Sequence, residues 1–442
     1  MAITEYIKNS LPYWPNVITI PLLKINFFKG LCYGFSYLYY GRKVTKSTPE
    51  QKLVAIANYA IQNVPYYRKR YSNLKIKSLE DFQNKIGYID KEEVLRNWND
   101  FIADKACLDK CNKGMTGGTS GKPMKLITPK NRYVHSMYFW HKKLKRYGWN
   151  YDPVAVIRNT HIPKGRKYIV NPIMRHVIFD GFNTSDDYFR EVWRSIRKLG
   201  IKYIYAYPSS AYAFFKSCKR QHLDISFFRA CFLTSEAITD NARFFFEKET
   251  KIPIMLHYGH SEKLCEAATY PGMPYYLIEE NYGFTELINE KGQIINQSGF
   301  MGEITGSTFF NKYFVLLRYR TGDYASYVDN VEKSSPRFLD HIEGRWNQSQ
   351  IYLIDNTTIS TTALNLHADI YERIDGLQYI QEKRGYLIVR IIPNKLFTEE
   401  DYNFFKQFYA KAMKGEAYVE IELTNNLVFQ PNGKFLPLIS KV

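Results

Sequence analysis

The stretch Lys113 to Pro123 reads KGMTGGTSGKP. Glycines, hydroxyl residues and two lysines crowded this closely cannot build a core, but they can gather around an anion. Glycine lets successive backbone N–H groups turn to one side and form a concave donor nest. Thr116, Thr119 and Ser120 add hydroxyl donors, and Lys122 adds a positive charge. The chemistry on offer is the cradling of phosphate oxygens; the competing structural reading is a flexible hairpin turn. The spacing is not that of a Walker loop, which sets four residues between its first glycine and the Gly-Lys pair, followed by a hydroxyl residue. Gly117 lies one residue too close to Gly121, and Pro123 occupies the hydroxyl position. MKLIT follows with strand-like alternation, so the loop is expected to join two strands rather than open a helix.

A loop of this kind needs a scaffold, and the middle of the chain supplies a regular one. SDDYFREVWRSIRKLG predicts a helix capped by Ser185 and closed by Gly200. IKYIYAY follows as a strand, Ser209 opens a second helix running to about His222, and FRACFLTSEA is a second strand. TDNARFFFEKET is helical and IPIMLHYGH is a third strand. This β-α-β-α-β order implies parallel strands, whose carboxyl ends form the usual ligand crevice. The three exits, YPSS, TSEA and YGHSE, all carry polar groups. Upstream, Ser47, Pro49 and Glu50 suggest a capped helix through Leu53, Ile56, Ala57, Ala60 and Ile61 that stops before Pro65. In YVHSMYFWHKKLKRYG, Met137, Trp140 and Leu144 share one helical face, read first as core and second as substrate contact. Beyond about residue 300 the chain becomes β-rich, with turns expected at Gly306 and at TGD and a loop at VEKSSPRF. A smaller β-rich unit runs from about Arg345 to Val442.

The chain has 442 residues, which suits two to three domains, and its 45% hydrophobic and 24% charged residues describe a soluble globular protein. The net charge of +18 favours anionic partners such as nucleotides, phosphorylated substrates, nucleic acid or phospholipid surfaces. The basic residues are scattered, with short clusters such as KKLKRYG and no nucleic-acid reading motif, which argues against a nucleic-acid partner. Cys107 and Cys111 are the one close cysteine pair and lack a second pair at zinc spacing, so reduced thiols in a cytoplasmic protein are expected. The aromatic stretch Pro15 to Gly41 is interrupted by Lys24 and Lys29, a poor membrane span. Packing on the protein body is the first reading and contact with a membrane surface the second.

Five motifs taken together resemble the adenylate-forming superfamily of acyl-CoA synthetases and peptide-synthetase adenylation domains. TGGTSGKP is similar to its phosphate-loop signature, and YGHSE (Tyr258 to Glu262) to its Tyr-Gly-x-Thr-Glu motif. YRTGD (Tyr319 to Asp323) matches Tyr-Arg-Thr-Gly-Asp, EGR (Glu343 to Arg345) fits the hinge Gly-Arg, and NGKF fits the position of the catalytic lysine. They occur in family order across almost the whole chain. NVPYYRKRY, IDKEEVLRN and the segment from YLIEENYGFTELI to YRTGD resemble the phenylacetate–CoA ligase group. The N-terminal SLPYWPN and YGRKV look most like its CapK-type branch, associated with capsule and surface-polysaccharide biosynthesis.

The resemblance implies an α/β adenylate-forming fold. A large N-terminal domain, residues 1–342, would hold mixed and parallel sheets with helices, and a small mobile α+β domain would span 343–442. It implies that ATP and a carboxylic acid give acyl-adenylate and pyrophosphate, and that the acyl group then passes to CoA or to an amine or hydroxyl on a sugar-linked acceptor. Thr116, Gly117, Gly118, Thr119, Ser120, Gly121 and Lys122 would embrace the β- and γ-phosphates. Glu262, in the motif with Gly259 and Ser261, would help to hold Mg²⁺. Tyr258 would lie against adenine, in a pocket lined by Ser235, Glu236 and Ala237. Asp323 and Arg345 would bind the ribose, and Lys434 would bridge the substrate carboxylate and the α-phosphate. Glu286, in the similar YGFTE, rivals Glu262 but is expected on a later hairpin with a structural role. Asn347 and Gln348 stand where the family usually places an acidic residue, so adenylation is implied more firmly than domain rotation. A dedicated aryl-CoA ligase and a non-catalytic nucleotide-binding scaffold are the alternative readings.

Overall fold

Asp186 and Asp187 follow Ser185, whose hydroxyl accepts the Tyr188 N–H at 3.4 Å, and the helix Asp186–Leu199 begins there. Acidic residues suit the positive end of a helix. The helix ends at Gly200, whose φ of 67° is open to glycine at little cost. The predicted alternation follows: strands Tyr203–Ala206, Ala230–Thr234 and Ile254–Gly259 pair in parallel, with Tyr203 opposite Ala230 and Cys231 opposite Ile254. Val154–Arg158 and His176–Asp180 extend the parallel series, and Ile169–Asn171 pairs antiparallel with the latter. Ala230–Thr234 is buried at every position, as a strand covered on both faces must be.

These elements belong to one of two compact units in the computed structural model, which describes residues 11–24, 35–116, 124–130, 132–158, 160–238, 240–330, 337–344, 350–361, 364, 370, 373–428 and 438–442. The first unit comprises Met1–Gly41, Val134–His257 and Thr269–Pro274; the second comprises Arg42–Tyr133, Tyr258–Ala268 and Tyr275–Val442. The expected VEKSSPRF loop falls largely outside the described residues. No helix among the described residues is long and apolar enough to cross a membrane.

Several local expectations shift by a residue or two. The helix Pro49–Asn63 is capped by Thr48, not Ser47, and Gln51 rather than Glu50 completes the box. The Glu50 carboxylate instead accepts the Leu79 N–H at 2.9 Å. The second helix of the alternation is Pro208–Arg220, with proline rather than Ser209 at its start. The third continues from Asp240–Phe244 into a π-helical turn, Phe245–Thr250. In Arg132–Lys145, His135, Phe139 and Leu144 are buried while Met137 and Trp140 are half-buried, so the core stripe lies to one side of the expected face.

In the second unit, helices Pro49–Asn63, Leu79–Lys85 and Lys91–Arg96 bury Leu53, Ile56, Phe82 and Val94 in one core with Leu287, Ile304 and Leu317. An antiparallel sheet joins Gly283–Ile288, Gly302–Thr308, Tyr319–Tyr327 and Phe338–Glu343 in that order. Gly306 lies inside Gly302–Thr308 rather than at a turn; an added Cβ would stand 2.5 Å from Cys265 Sγ and 2.7 Å from Leu264 Cβ. The C-terminal part forms its own sheet, in the order Tyr418–Leu423, Tyr386–Pro393, Ile374–Lys383, Leu438–Ser440, accompanied by helix Glu399–Met413.

One buried ion pair ties the helices of this unit to its sheet. Arg318 Nε donates to Glu286 Oε2 at 3.1 Å, and both side chains are 3% exposed. Arg318 Nη1 also donates to the carbonyls of Gln83 (2.6 Å) and Ile86 (2.8 Å), and Gln83 Nε2 donates to Glu286 Oε1 at 2.9 Å. Glu286 therefore has the structural role expected of it. Its replacement would strand a buried guanidinium, a loss of about 3–5 kcal/mol. Glu286→Ala is accordingly expected to lower the urea midpoint strongly, whereas Asp100→Ala, which removes the exposed pair with Lys69, leaves it nearly unchanged. Equal shifts for the two variants would show that the buried pair is not the anchor.

Candidate active site

The glycine-rich stretch does connect two strands. Cys111–Met115 and Lys125–Pro129 pair antiparallel, with Met115 opposite Lys125. The Thr116 N–H donates to the Met124 carbonyl at 3.0 Å, and the Thr116 hydroxyl accepts the Met124 N–H at 3.0 Å, closing the hairpin neck. Trp98 Nε1 and Asn311 Nδ2 hold the second strand through the carbonyls of Lys125 (2.8 Å) and Ile127 (2.7 Å). Gly117, Gly118, Thr119, Ser120, Gly121 and Lys122 lie outside the described residues, as do Arg345 and Lys434.

YGHSE and YRTGD, far apart in sequence, meet in the second unit. The TGD segment is not a turn between strands but a bulge within Tyr319–Tyr327. Glu303 faces Tyr324 while Thr305 faces Arg320, so the register jumps across Thr321–Asp323. Gly322 adopts φ 74°, which a side chain would strain. The bulge is held from both sides. Thr321 Oγ1 donates to the Ile304 carbonyl at 2.7 Å and accepts the Asp323 N–H at 3.1 Å. The Gly322 N–H donates to Glu303 Oε1 at 3.0 Å, while Arg320 holds Glu303 Oε2.

This geometry aims Asp323 at Tyr258, whose hydroxyl donates to Asp323 Oδ2 at 3.0 Å. Tyr258 is 1% exposed. Burial first, and the Asp323 charge second, hold its phenol well above the ordinary range. The ring is enclosed, and its hydroxyl orients Asp323.

Glu262 lies in the turn after Ile254–Gly259, with Ser261 exposed beside it. The Cys265 N–H donates to His260 Nε2 at 3.3 Å, which leaves Nδ1 to carry the ring proton and donate to Glu262 Oε2 at 3.1 Å. The Tyr319 hydroxyl donates to Glu262 Oε1 at 3.3 Å. Burial pushes the carboxyl up, but the hydrogen bond from His260, with the nearby Lys91 charge, outweighs it and brings the pKa to about 2. Glu262 is thus a largely buried carboxylate, ionised at neutral pH.

The remaining predicted residues belong to the first unit, at the ends of its parallel strands. Ser235 follows Ala230–Thr234 with φ 69°. Glu236 is buried, and its Oε2 accepts the Ser209 N–H at 3.2 Å at the start of Pro208–Arg220. Ala237 is half-buried. Thr234 Oγ1 lies 3.2 Å from His257 Nδ1.

Two features of this edge were missed in the sequence. Arg158 ends Val154–Arg158 and reaches Ser235 Oγ at 3.3 Å. His161 lies 3.4 Å from Asp180 Oδ2 through Nδ1 and stacks on Phe182 with ring centroids 4.3 Å apart. The signal for Arg158 was available: it is the single charged residue in the apolar run VAVIR. His161, His260, Lys91 and Glu303 have no comparable mark.

The Glu262 carboxyl titrates near 2 in the folded chain against 4.5 ordinarily. It therefore stabilises the fold above the ordinary value, and that contribution is lost as pH falls through about 2. In magnesium-free urea titrations between these limits, Glu262→Gln is expected to show a shallower decline of stability with acid than the wild type. Parallel declines would refute the depressed carboxyl.

No protein-family model matches the chain, and no curated protein sequence matches it significantly. Solved structures do. It is similar to 2-hydroxyisobutyryl-CoA ligase in complex with 2-HIB-AMP and CoA in the thioesterification state, with TM-score 0.55, 14% identity and 88% of each chain covered. An open conformation of that ligase, also with 2-HIB-AMP and CoA, gives TM-score 0.54 at 14% identity, covering 88% of this chain and 90% of the other. A postadenylation state with R3-HIB-AMP gives 0.54 at 13% identity and 88% of each chain. At this identity the likeness concerns architecture: the chain has the adenylate-forming ligase fold.

Proposed function

We propose that this protein is an ATP-dependent ligase that adenylates a carboxylic acid and passes the acyl group to an acceptor. The observation carrying the proposal is the meeting of YGHSE and YRTGD, in which Tyr258 bonds Asp323 and Tyr319 bonds Glu262. Nothing in β-sheet pairing alone requires each motif's tyrosine to hold the other motif's carboxylate. In this reading Asp323 accepts hydrogen bonds from the ribose hydroxyls, and the hairpin from Thr116 to Met124 receives the phosphates. Lys434, in a small domain spanning 343–442, stabilises charge at the α-phosphate.

The residues present fit a magnesium ion. Glu262 is ionised, supplies hard oxygen and is oriented by His260 and Tyr319. Magnesium usually takes one or two protein carboxylates and completes its shell with phosphate oxygens and water. Bound there, it would neutralise charge on the nucleotide's phosphates.

The finer readings concern the acceptor. CoA is favoured first, because the ligase of similar fold is solved with CoA. A sugar-linked amine or hydroxyl, in keeping with the CapK-type resemblance, comes second.

Pyrophosphate exchange into ATP over a panel of carboxylic acids, with and without CoA, tests the proposal. At least one acid is expected to drive magnesium-dependent exchange, and Lys434→Ala to slow it by about 10²–10³-fold, the loss typical of one charge-stabilising donor. Asp323→Ala is expected to raise the KM for ATP by about tenfold or more, as for a lost hydrogen bond to a charged group. ATP binding without acid-dependent exchange across the panel would leave only the scaffold reading.

A further inference from the structure

Among the described residues, none supplies Arg158 with a bound anion. Its guanidinium lies against the rings of Tyr205 and Tyr207, 4.8 and 4.6 Å from their centroids. Nη1 donates to the Tyr205 hydroxyl at 2.5 Å and Nη2 to Ser235 Oγ at 3.3 Å. Nε is buried without a hydrogen-bond partner. Among the described residues no carboxylate lies within ion-pair distance of it. Glu236 is felt as a charge, but its Oε2 accepts the Ser209 N–H. The carboxylate of Asp180, opposite Arg158 in the strand register, faces His161. His176, a possible competitor for an anion, is neutral: burial, then the Arg158 charge, bring its pKa down to about 4.

The position is built rather than accidental. A Cβ on Gly181 would stand 1.4 Å from the Arg158 carbonyl oxygen, so only glycine lets the neighbouring chain hold this strand end so closely. Two tyrosine rings offset part of the cost of burying the charge, and the Tyr205, Tyr207 and Ser235 hydroxyls take hydrogen bonds from it, but none of these is the oxyanion that a guanidinium fork suits best. An unsatisfied buried donor at the carboxyl edge of a parallel sheet asks for a ligand. The enclosure is aromatic, with Trp140 5.0 Å from Tyr205, which suits the body of an organic acid better than a polyphosphate.

We propose that Arg158 receives a second anionic group on the acid substrate, so that the protein selects acids bearing two negative groups over monocarboxylates of the same length. The inference rests on the ligase reading and narrows its substrate class. It makes Arg158 a specificity residue for the acid.

The test pairs diacids from succinate to adipate, and terephthalate, with monocarboxylates of matching length and with benzoate. Binding is measured by calorimetry, separately from pyrophosphate exchange. Wild type is expected to bind at least one diacid tenfold or more tighter than its partner, and Arg158→Gln to weaken that diacid by roughly 100-fold, in keeping with removal of a buried charge-assisted contact. The monocarboxylates and ATP should be unaffected. Arg158→Lys, which keeps the charge but loses the fork, should fall between. Should Arg158→Gln not fold, as judged by thermal melting, Arg158→Lys and Tyr205→Phe carry the comparison. Absence of any diacid preference, its survival in the variants, or a loss of ATP affinity instead, which would assign the subsite to a nucleotide phosphate, overturns the proposal. Diacid binding that depends on Arg158 without any exchange would leave the subsite standing and remove the ligase reading. Exchange indifferent to Arg158 would do the reverse.

Discussion

The second unit depends on a charge that water cannot reach. Arg318 is buried with five N–H donors, and they find Glu286, two helix-end carbonyls and the Tyr88 hydroxyl. Each of these partners is fixed by something else: Glu286 by its strand and by Gln83, the carbonyls by Leu79–Lys85 and its C-terminal end. A guanidinium with so many directional bonds tolerates little displacement. Tyr319 is the next residue, so the strand carrying YRTGD starts from a fixed point. Where a purely apolar contact would let this strand slide, the ion pair sets its register against the helices.

From that point outward the sheet converts rigidity into aim. An unbulged strand alternates its side chains between two faces. The extra residues at Thr321–Asp323 break that alternation, and Glu303 on the adjacent strand captures the freed Gly322 N–H while Arg320 steadies Glu303. The Asp323 side chain is thereby set toward Tyr258 and that of Tyr319 toward Glu262. Two carboxylates are each held by a tyrosine of the other motif in a chain of net charge +18. Tyr258 holds Asp323, and His260 and Tyr319 hold Glu262, so hydrogen bonds fix the direction of both carboxylates.

What was legible in the sequence was whatever depends on near neighbours. Ser185 and Gly200 mark a helix because capping is local, and the parallel strands show as apolar runs because both faces are covered. The hairpin around the glycine-rich loop followed from the alternation on its far side. The errors came where two local solutions compete or where a distant partner decides. Ser47 and Thr48 can both cap, and the box with Gln51 selects the second. Gly306 has a turn-forming residue type, yet the close packing of Cys265 and Leu264 makes it a strand residue. TGD looks like a turn because glycine is there for a positive φ, but the reason for it, Glu303, lies on another strand. Glu262 and Glu286 are nearly indistinguishable as motifs; Arg318 separates them, and no spacing rule points to Arg318.

The same distinction explains why the first unit's edge was only half read. Its exits were visible as polar ends of apolar strands, and Ser235 and Glu236 were picked out on that basis. Arg158 was passed over because an arginine closing a strand reads as an exposed end residue. What changes its meaning is the pair of tyrosines in YIYAY, Tyr205 on the neighbouring strand and Tyr207 just beyond its end, whose rings both lie against the guanidinium. Alternation puts Tyr205 and Tyr207 on the same side of the chain, and parallel register sets them beside the end of Val154–Arg158. An arginine so enclosed gives up part of its hydration without gaining a carboxylate, an arrangement that stability alone would not favour. Function supplies the missing half of that balance: a site that must recognise an oxyanion is better prepared by a positioned cation than by one already paired.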